Sequence, residues 1–295
     1  MRTHKTVLVF LSMRPRQWTK NFIVFTPLIF SQHLLEVNFL IKAFVAFTIF
    51  CLVSGCIYIL NDIVDLEQDK KHPLKSLRPL ASGKLSVSFA IKALLLCGII
   101  TAIGSILLCT RDFTFVVLLY VALQIIYSWY LKHVVILDVF CIAAGFLLRV
   151  IAGAEALQVS FSTWLFICTI LLSLFLALSK RRHELMLLEE NAVHHRKILF
   201  EYSPYLLDQM ISIVTTATVI AYILYTISPE TIEKFGTDNL KYTTPFVLYG
   251  VFRYLYLIHQ KNEGGSPEKV LLNDRPLLYA VLLYGITACA VLYFH

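Results

Sequence analysis

Asn61, Asp62, Asp65 and Asp69 stand in the run NDIVDLEQD, where a long apolar stretch gives way to charge. Side chains three and four positions apart share one face of an α-helix, so this spacing predicts a row of carboxylates. Carboxylates beside hydrocarbon are costly unless a cation sits among them. Mg²⁺ suits such a row, because it binds through a few carboxylates together with the phosphate oxygens of a substrate. The plainer reading is a solvated helix end in which Lys70 and Lys71 pair with the acids. Three aligned acids and an Asn favour the metal, with Asp62, Asp65 and Asp69 as its ligands.

Cationic groups cluster in five further places. Immediately after the acids comes KKHPLKSLRPLASGKLS, a loop carrying Lys75, Arg78 and Lys84, with Pro73, Pro79 and Gly83 as its turn residues. Membrane topology alone would account for the charge, but arginine is also suited to bidentate contact with phosphate. The run YSWYLKHVVILD brings Tyr127, Ser128, Lys132 and Asp138 to a short turn, and Arg149 follows about three helical turns later. Lys132 and Asp138 would pair with each other on the plainer reading; otherwise they supply a wall opposite the first acids. Arg149 would reach a phosphate or neutralise a buried acid. SKRRHEL holds Lys180, Arg181, Arg182, His183 and Glu184, where His183 is a poor candidate for a metal that prefers oxygen. RPRQWTKNF offers Arg14, Arg16, Lys20 and Asn21, with Trp18 as an interfacial anchor, and NEGGSPEKVLLNDRPL places Glu268, Asp274 and Arg275 before the last apolar stretch.

The elements that must position these residues are membrane helices. The chain has 295 residues, 58% hydrophobic and only 15% charged, against roughly 45–50% and about 25% in soluble proteins. With about 20 apolar residues needed per crossing, nine spans are expected near 17–32, 38–61, 86–109, 113–131, 134–156, 161–180, 207–228, 242–260 and 276–294. They leave no room for a separate globular domain, so residues 1–295 read as a single transmembrane domain. Lysine and arginine gather in the N-terminus and in the 62–85, 180–206 and 261–275 loops, whereas Lys42, Arg111, Lys234 and Lys241 mark the other side. The positive-inside rule then makes the N-terminus and the acid-bearing loops cytoplasmic and puts His295 outside. No cleavable signal peptide is expected ahead of the spans. The net charge of +7 is accordingly read as topology and not as a nucleic-acid footprint. Cys51, Cys56, Cys97, Cys109, Cys141, Cys168 and Cys289 lie in or beside apolar segments without a C-x-x-C pair, so they read as small buried hydrophobes.

Two acid-bearing loops, one after the second span and one at the turn between the fourth and fifth, resemble the UbiA superfamily of intramembrane prenyltransferases. NDIVDLEQD is similar to that superfamily's NDxxDxxxD motif, and RPLASG to the segment that follows it. The resemblance implies an all-α, nine-helix bundle in the cell membrane, a cytoplasmic active-site cap and Mg²⁺-dependent binding of a diphosphate. Prenyl-diphosphate members place two acids four residues apart in their second motif, whereas this chain offers only Asp138. RPRQWTKN, YSWYLKHVVILD and GGSPEKVLLNDRPL instead resemble the decaprenyl-phosphate phosphoribosyltransferase branch.

That branch implies transfer of 5-phosphoribose from phosphoribosyl diphosphate (PRPP) to a polyprenyl phosphate, as a step toward cell-envelope glycan precursors. Residue by residue, it places the metal-diphosphate on Asp62, Asp65 and Asp69, with Asn61 beside them. A second-wall role falls to Tyr127, Lys132 and Asp138, and phosphate contacts to Lys20, Arg78 and Lys180. The expected partners are the polyprenyl phosphate, PRPP and membrane lipids, without nucleic acid, and a homo-oligomer is compatible with them. Prenyl and ribosyl diphosphates both lose pyrophosphate from a carbon that tolerates cationic character, so one metal clamp serves either reaction. Two other readings stand beside this one. A prenyltransferase acting on an aromatic acceptor shares the acids, and a transporter would line its path with them.

Overall fold

The computed structural model describes residues 4–71, 75–190, 199, 201–261 and 263–294, without the side chains of 188–190. Pro73 of the basic loop, part of the 180–206 loop, Asn262 of the 261–275 loop and His295, expected outside, lie beyond the described residues. The fold is all-α, and no strand occurs among the described residues.

Among the described residues, seven helices are long and apolar enough to cross a membrane: α3 (Val37–Val64), α5 (Val87–Leu108), α6 (Arg111–Trp129), α7 (Leu137–Leu157), α8 (Thr163–Glu190), α9 (Pro204–Ile227) and α13 (Arg275–Tyr293). The chain is therefore a polytopic membrane protein. Two of the nine expected spans are shorter elements. The segment at 17–32 folds as a 3₁₀ stretch, Pro15–Phe25, followed by the five-residue α2 (Thr26–Phe30). Pro27 interrupts it, and Asn21 is buried within it, so it does not form a continuous apolar helix. The segment at 242–260 becomes α11 (Thr244–Gln260), 17 residues long. Short helices α1 (Lys5–Ser12), α4 (Leu66–Lys71), α10 (Pro229–Phe235) and α12 (Pro267–Asn273) complete the set.

The chain divides into two compact units: Met1–Tyr130 with Leu148–Ser160, and Leu131–Leu147 with Phe161–His295. In the first unit, Phe50 of α3 meets Phe113 and Tyr120 of α6 edge-on or tilted, forming one core with Val24, Val53 and Ala152. Gly153 permits a close approach there: a Cβ on it would lie 2.2 Å from the Val24 carbonyl oxygen. A second core joins Leu8 and Met13, Ile59 of α3, and Leu80, Leu85 and Ala90 beyond the basic loop. It fastens α1 and that loop to the polar end of α3.

The second unit is built on α8, α9, α11, α12 and α13, with the first half of α7. Phe175 and Leu178 of α8, Leu207 and Ile211 of α9, and Tyr254, Leu257 and Ile258 of α11 share its core. Asp274 caps α13 by accepting from Leu277 N at 2.9 Å, while Arg253 donates Nε and Nη2 to its two oxygens at 3.1 and 2.8 Å. The Arg253 bonds chiefly hold the Asp274 carboxyl below its usual pKa.

Candidate active site

In the first unit, the end of α3 runs into α4 with little interruption. Asp65 N bonds Asn61 O at 2.9 Å and Asp69 N bonds Asp65 O at 2.8 Å, so helical hydrogen bonding continues through the junction. Asp62 and Asp69, seven positions apart and thus about two turns, are consequently brought to a common partner. Arg78 Nη1 donates to Asp62 Oδ1 at 3.2 Å and to Asp69 Oδ2 at 2.5 Å. Both carboxylates are buried. Lys75 Nζ stands 3.7 Å from Asp69 Oδ1.

Arg14 adds a second guanidinium, paired with Asp62 and lying 4.8 Å above the Tyr58 ring. Its backbone is left-handed, at φ 54° and ψ 64°, a conformation that costs a non-glycine residue about 1–3 kcal/mol. The neighbouring Met13 in the second core, and the Trp18 indole donating to Met13 O at 3.2 Å, hold the turn in place. The loop bearing Arg78 is likewise anchored by buried Leu80 and Leu85, with Leu85 N bonded to Pro79 O at 2.9 Å. Gly83, at φ 72°, supplies the left-handed residue of that turn.

Positive groups already lie where the two buried carboxylates point. This oxygen-only donor set is the kind Mg²⁺ prefers. Among the described residues no three His, Cys, Asp or Glu side chains gather closely enough to hold a metal by themselves. Asp65 is half-buried where α3 ends. The simple surface pairing expected of Lys70 is made instead with exposed Glu67, at 2.6 Å, and that bond foremost lowers the Glu67 pKa.

The remaining first-unit residues form polar links beside the acids. Asn61 Oδ1 accepts from Ser128 Oγ at 2.7 Å, tying α3 to α6. Tyr127, adjacent on α6, and Lys20, in the 3₁₀ stretch, are half-buried. Arg149 is buried; its Nε donates to Asn21 Oδ1 at 2.8 Å and its Nη2 to the Tyr120 hydroxyl at 2.7 Å. Asn21 in turn donates to Ser54 Oγ at 3.2 Å.

Asp138, Lys132 and Lys180 belong to the second unit. Asp138 is fully enclosed and accepts from Arg181 Nε at 2.6 Å and from the Tyr202 hydroxyl at 2.7 Å. Tyr202 also accepts from Ile136 N at 2.8 Å, fixing the turn in which β-branched Ile136 takes φ 69°. Burial, followed by the hydrogen bond to Asp138, raises the Tyr202 pKa and keeps the phenol protonated. Glu184 joins the same cluster through Arg181, and Lys180 Nζ lies 3.8 Å from its other oxygen. Sequence reasoning does not single out Arg14, Arg181 or Tyr202 as site residues. The first two are visible as charges, but nothing in their spacing connects them to acids 48 and 43 positions away. Tyr202 carries no signal.

The UbiA prenyltransferase family model matches residues 24–273. Decaprenyl-phosphate phosphoribosyltransferase of Mycolicibacterium smegmatis is 32% identical, over 96% of this chain and 92% of its own length. The enzyme of the same name from Corynebacterium glutamicum is also 32% identical, over 92% and 83%. A UbiA homolog from Archaeoglobus fulgidus, solved with GPP and Mg²⁺, shares the fold at a TM-score of 0.70 and 17% identity, covering 97% of this chain and 99% of that one. Fold and relatives lead to one conclusion: the chain belongs to the UbiA prenyltransferase family and is a membrane transferase.

Proposed function

We propose that this protein transfers 5-phosphoribose from PRPP to a polyprenyl phosphate of the decaprenyl type, releasing pyrophosphate. The observation that carries the reading is the convergence of Asp62 and Asp69 on Arg78, carboxylates and a phosphate-seeking guanidinium meeting at one point. The near full-length relatives named for this reaction support the choice of donor and acceptor.

Asp62, Asp65 and Asp69 would hold Mg²⁺ with the donor's diphosphate, and the metal would stabilise charge on the departing pyrophosphate. Arg78, Arg14 and Lys75 would turn from the carboxylates toward phosphate oxygens as the donor enters. Three cations lie beside the two buried acids, so the cluster suits an additional anion. Lys20 and Arg149 would add positive charge to this unit. The lipid phosphate is already ionised, so its attack on ribose C1 needs no strong general base. Lys132, Lys180, Tyr127 and Asp138 complete the proposal as residues whose substitution changes turnover. By the positive-inside rule the reaction belongs to the cytoplasmic face of the cell membrane, where its product would feed cell-envelope glycan synthesis.

The deciding assay presents purified protein and Mg²⁺ with two reactant pairs: PRPP plus polyprenyl phosphate, and a prenyl diphosphate plus an aromatic acid. The first pair should yield a phosphoribosyl lipid and pyrophosphate. Product from the second alone would replace this reading with aromatic prenyl transfer.

A further inference from the structure

We propose that α9 and α11 of the second unit form a binding groove for an amine-headed, zwitterionic glycerophospholipid from the surrounding bilayer. The groove has a volume of about 370 Å³ and is lined by Asp208, Ile211, Thr215, Phe252, Leu255 and His259, among others. It therefore falls in the size range of small-molecule sites, roughly 300–1,000 Å³. It lies wholly within the second unit and involves none of the acids assigned to the reaction.

One of the residues lining the groove carries an unanswered polar atom. Thr215 is 7% exposed, and its hydroxyl has no hydrogen-bond partner among the described residues. Its neighbours behave differently: Thr216 Oγ1 donates to Ser212 O at 2.9 Å and Thr218 Oγ1 to Val214 O at 2.7 Å. A buried hydroxyl without a partner costs about 1–3 kcal/mol, which an acceptor entering the groove would recover. An ester carbonyl is such an acceptor, and hydrocarbon lying along Ile211, Leu255 and exposed Phe252 would follow from the same molecule.

The mouth specifies the headgroup. Asp208 Oδ1 accepts from Arg182 Nε at 2.5 Å and lies 3.2 Å from His259 Nε2. Both contacts fall on one oxygen, so among the described residues Oδ2 remains to receive a donor at the groove's entrance. The Asp208–Arg182 pair carries no net charge, and its cation is already committed to the carboxylate. A bare anionic phosphate gains little there, whereas an ammonium with its adjoining phosphate fits. Asp208 and Thr215 are seven residues apart on α9, roughly 10 Å along the axis, which suits a headgroup above and ester groups below. Exposed Tyr205, one turn before Asp208, marks the interfacial end of this span.

Native mass spectrometry of protein taken from bilayers containing equal phosphatidylethanolamine and phosphatidylglycerol tests the site. Wild type should retain phosphatidylethanolamine preferentially, and Thr215→Val should lower its retention about fivefold, the effect of one hydrogen bond. Asp208→Asn should lessen the preference between headgroups. Because releasing Arg182 could unfold that variant, Thr215→Val, which breaks no ion pair, decides the result. Equal retention of the two lipids by wild type, unchanged retention in Thr215→Val, or displacement of the bound lipid by polyprenyl phosphate would each overturn the proposal.

Discussion

Arg181 Nε donates to Asp138 Oδ2 at 2.6 Å, and both side chains are almost wholly enclosed. The sequence suggests Lys132 as the simple partner for this acid, but the folded chain supplies Arg181 from another helix. Breaking such a pair by removing one member typically costs about 3–5 kcal/mol, because the other charge stays buried. Arg181→Met should therefore lower the melting temperature in detergent sharply. The double variant Arg181→Met/Asp138→Leu should recover much of the loss. If the double variant is as unstable as the sum of both single changes, the pair is not the origin of the effect.

At the acid–arginine cluster, Asp62→Asn and Asp69→Asn should each reduce phosphoribosyl transfer by about 100-fold or more, the usual scale for losing one preorganised electrostatic group. Folding should survive, as judged by circular dichroism and monodisperse elution in detergent. Wild-type turnover in either variant would remove that acid from the metal assignment.

Arg78→Ala should act mainly through the donor. Loss of the proposed phosphate contact should raise the Michaelis constant for PRPP more than it lowers kcat, if the contact is equal in ground and transition states. Arg78→Lys should restore part of the affinity, since it keeps the charge without the planar fork. An unchanged constant would leave Arg78 as a partner of the two acids only.

Gly153 and Gly98 offer a paired test of close packing. A methyl at Gly153 meets the Val24 carbonyl oxygen, whereas one at Gly98 meets nothing within 4 Å among the described residues. Gly153→Ala should cost about 1–3 kcal/mol through overpacking. Gly98→Ala should be neutral or slightly stabilising, because alanine is the better helix former. Thermal unfolding of the two variants side by side measures the difference.

Asp274 links α11 to the start of α13, and its pKa is depressed chiefly by Arg253. The stability it contributes is present above the ordinary carboxylate pKa, about 3.9, and disappears as pH falls through the lower folded value. The gap in melting temperature between wild type and Asp274→Asn should accordingly be full at neutral pH and close only in strong acid. A gap that closes near pH 6 would point to a different titrating group.

Long apolar runs are sufficient to announce seven membrane helices, because a span of that length has no better solvent than lipid. The other two expected spans, at 17–32 and 242–260, lie where prolines or charged residues divide the apolar pattern. There, local sequence does not determine whether the chain crosses. The acidic run is equally legible, since helical spacing alone brings Asp62, Asp65 and Asp69 toward one end of α3. The closing loop of that cluster is visible only as a basic, proline-rich segment.

What the sequence determined by itself was therefore local: apolar length, helical spacing and the presence of carboxylates beside arginines. Tertiary structure decided the pairings. Packing of Leu8, Met13, Ile59, Leu80 and Leu85 brings Arg14 and Arg78 to the same acid, and burial selects Arg181 and Tyr202 for Asp138. Charge attracts over any sequence separation, but a hydrogen bond forms only where the folded backbone has already placed its two ends within reach.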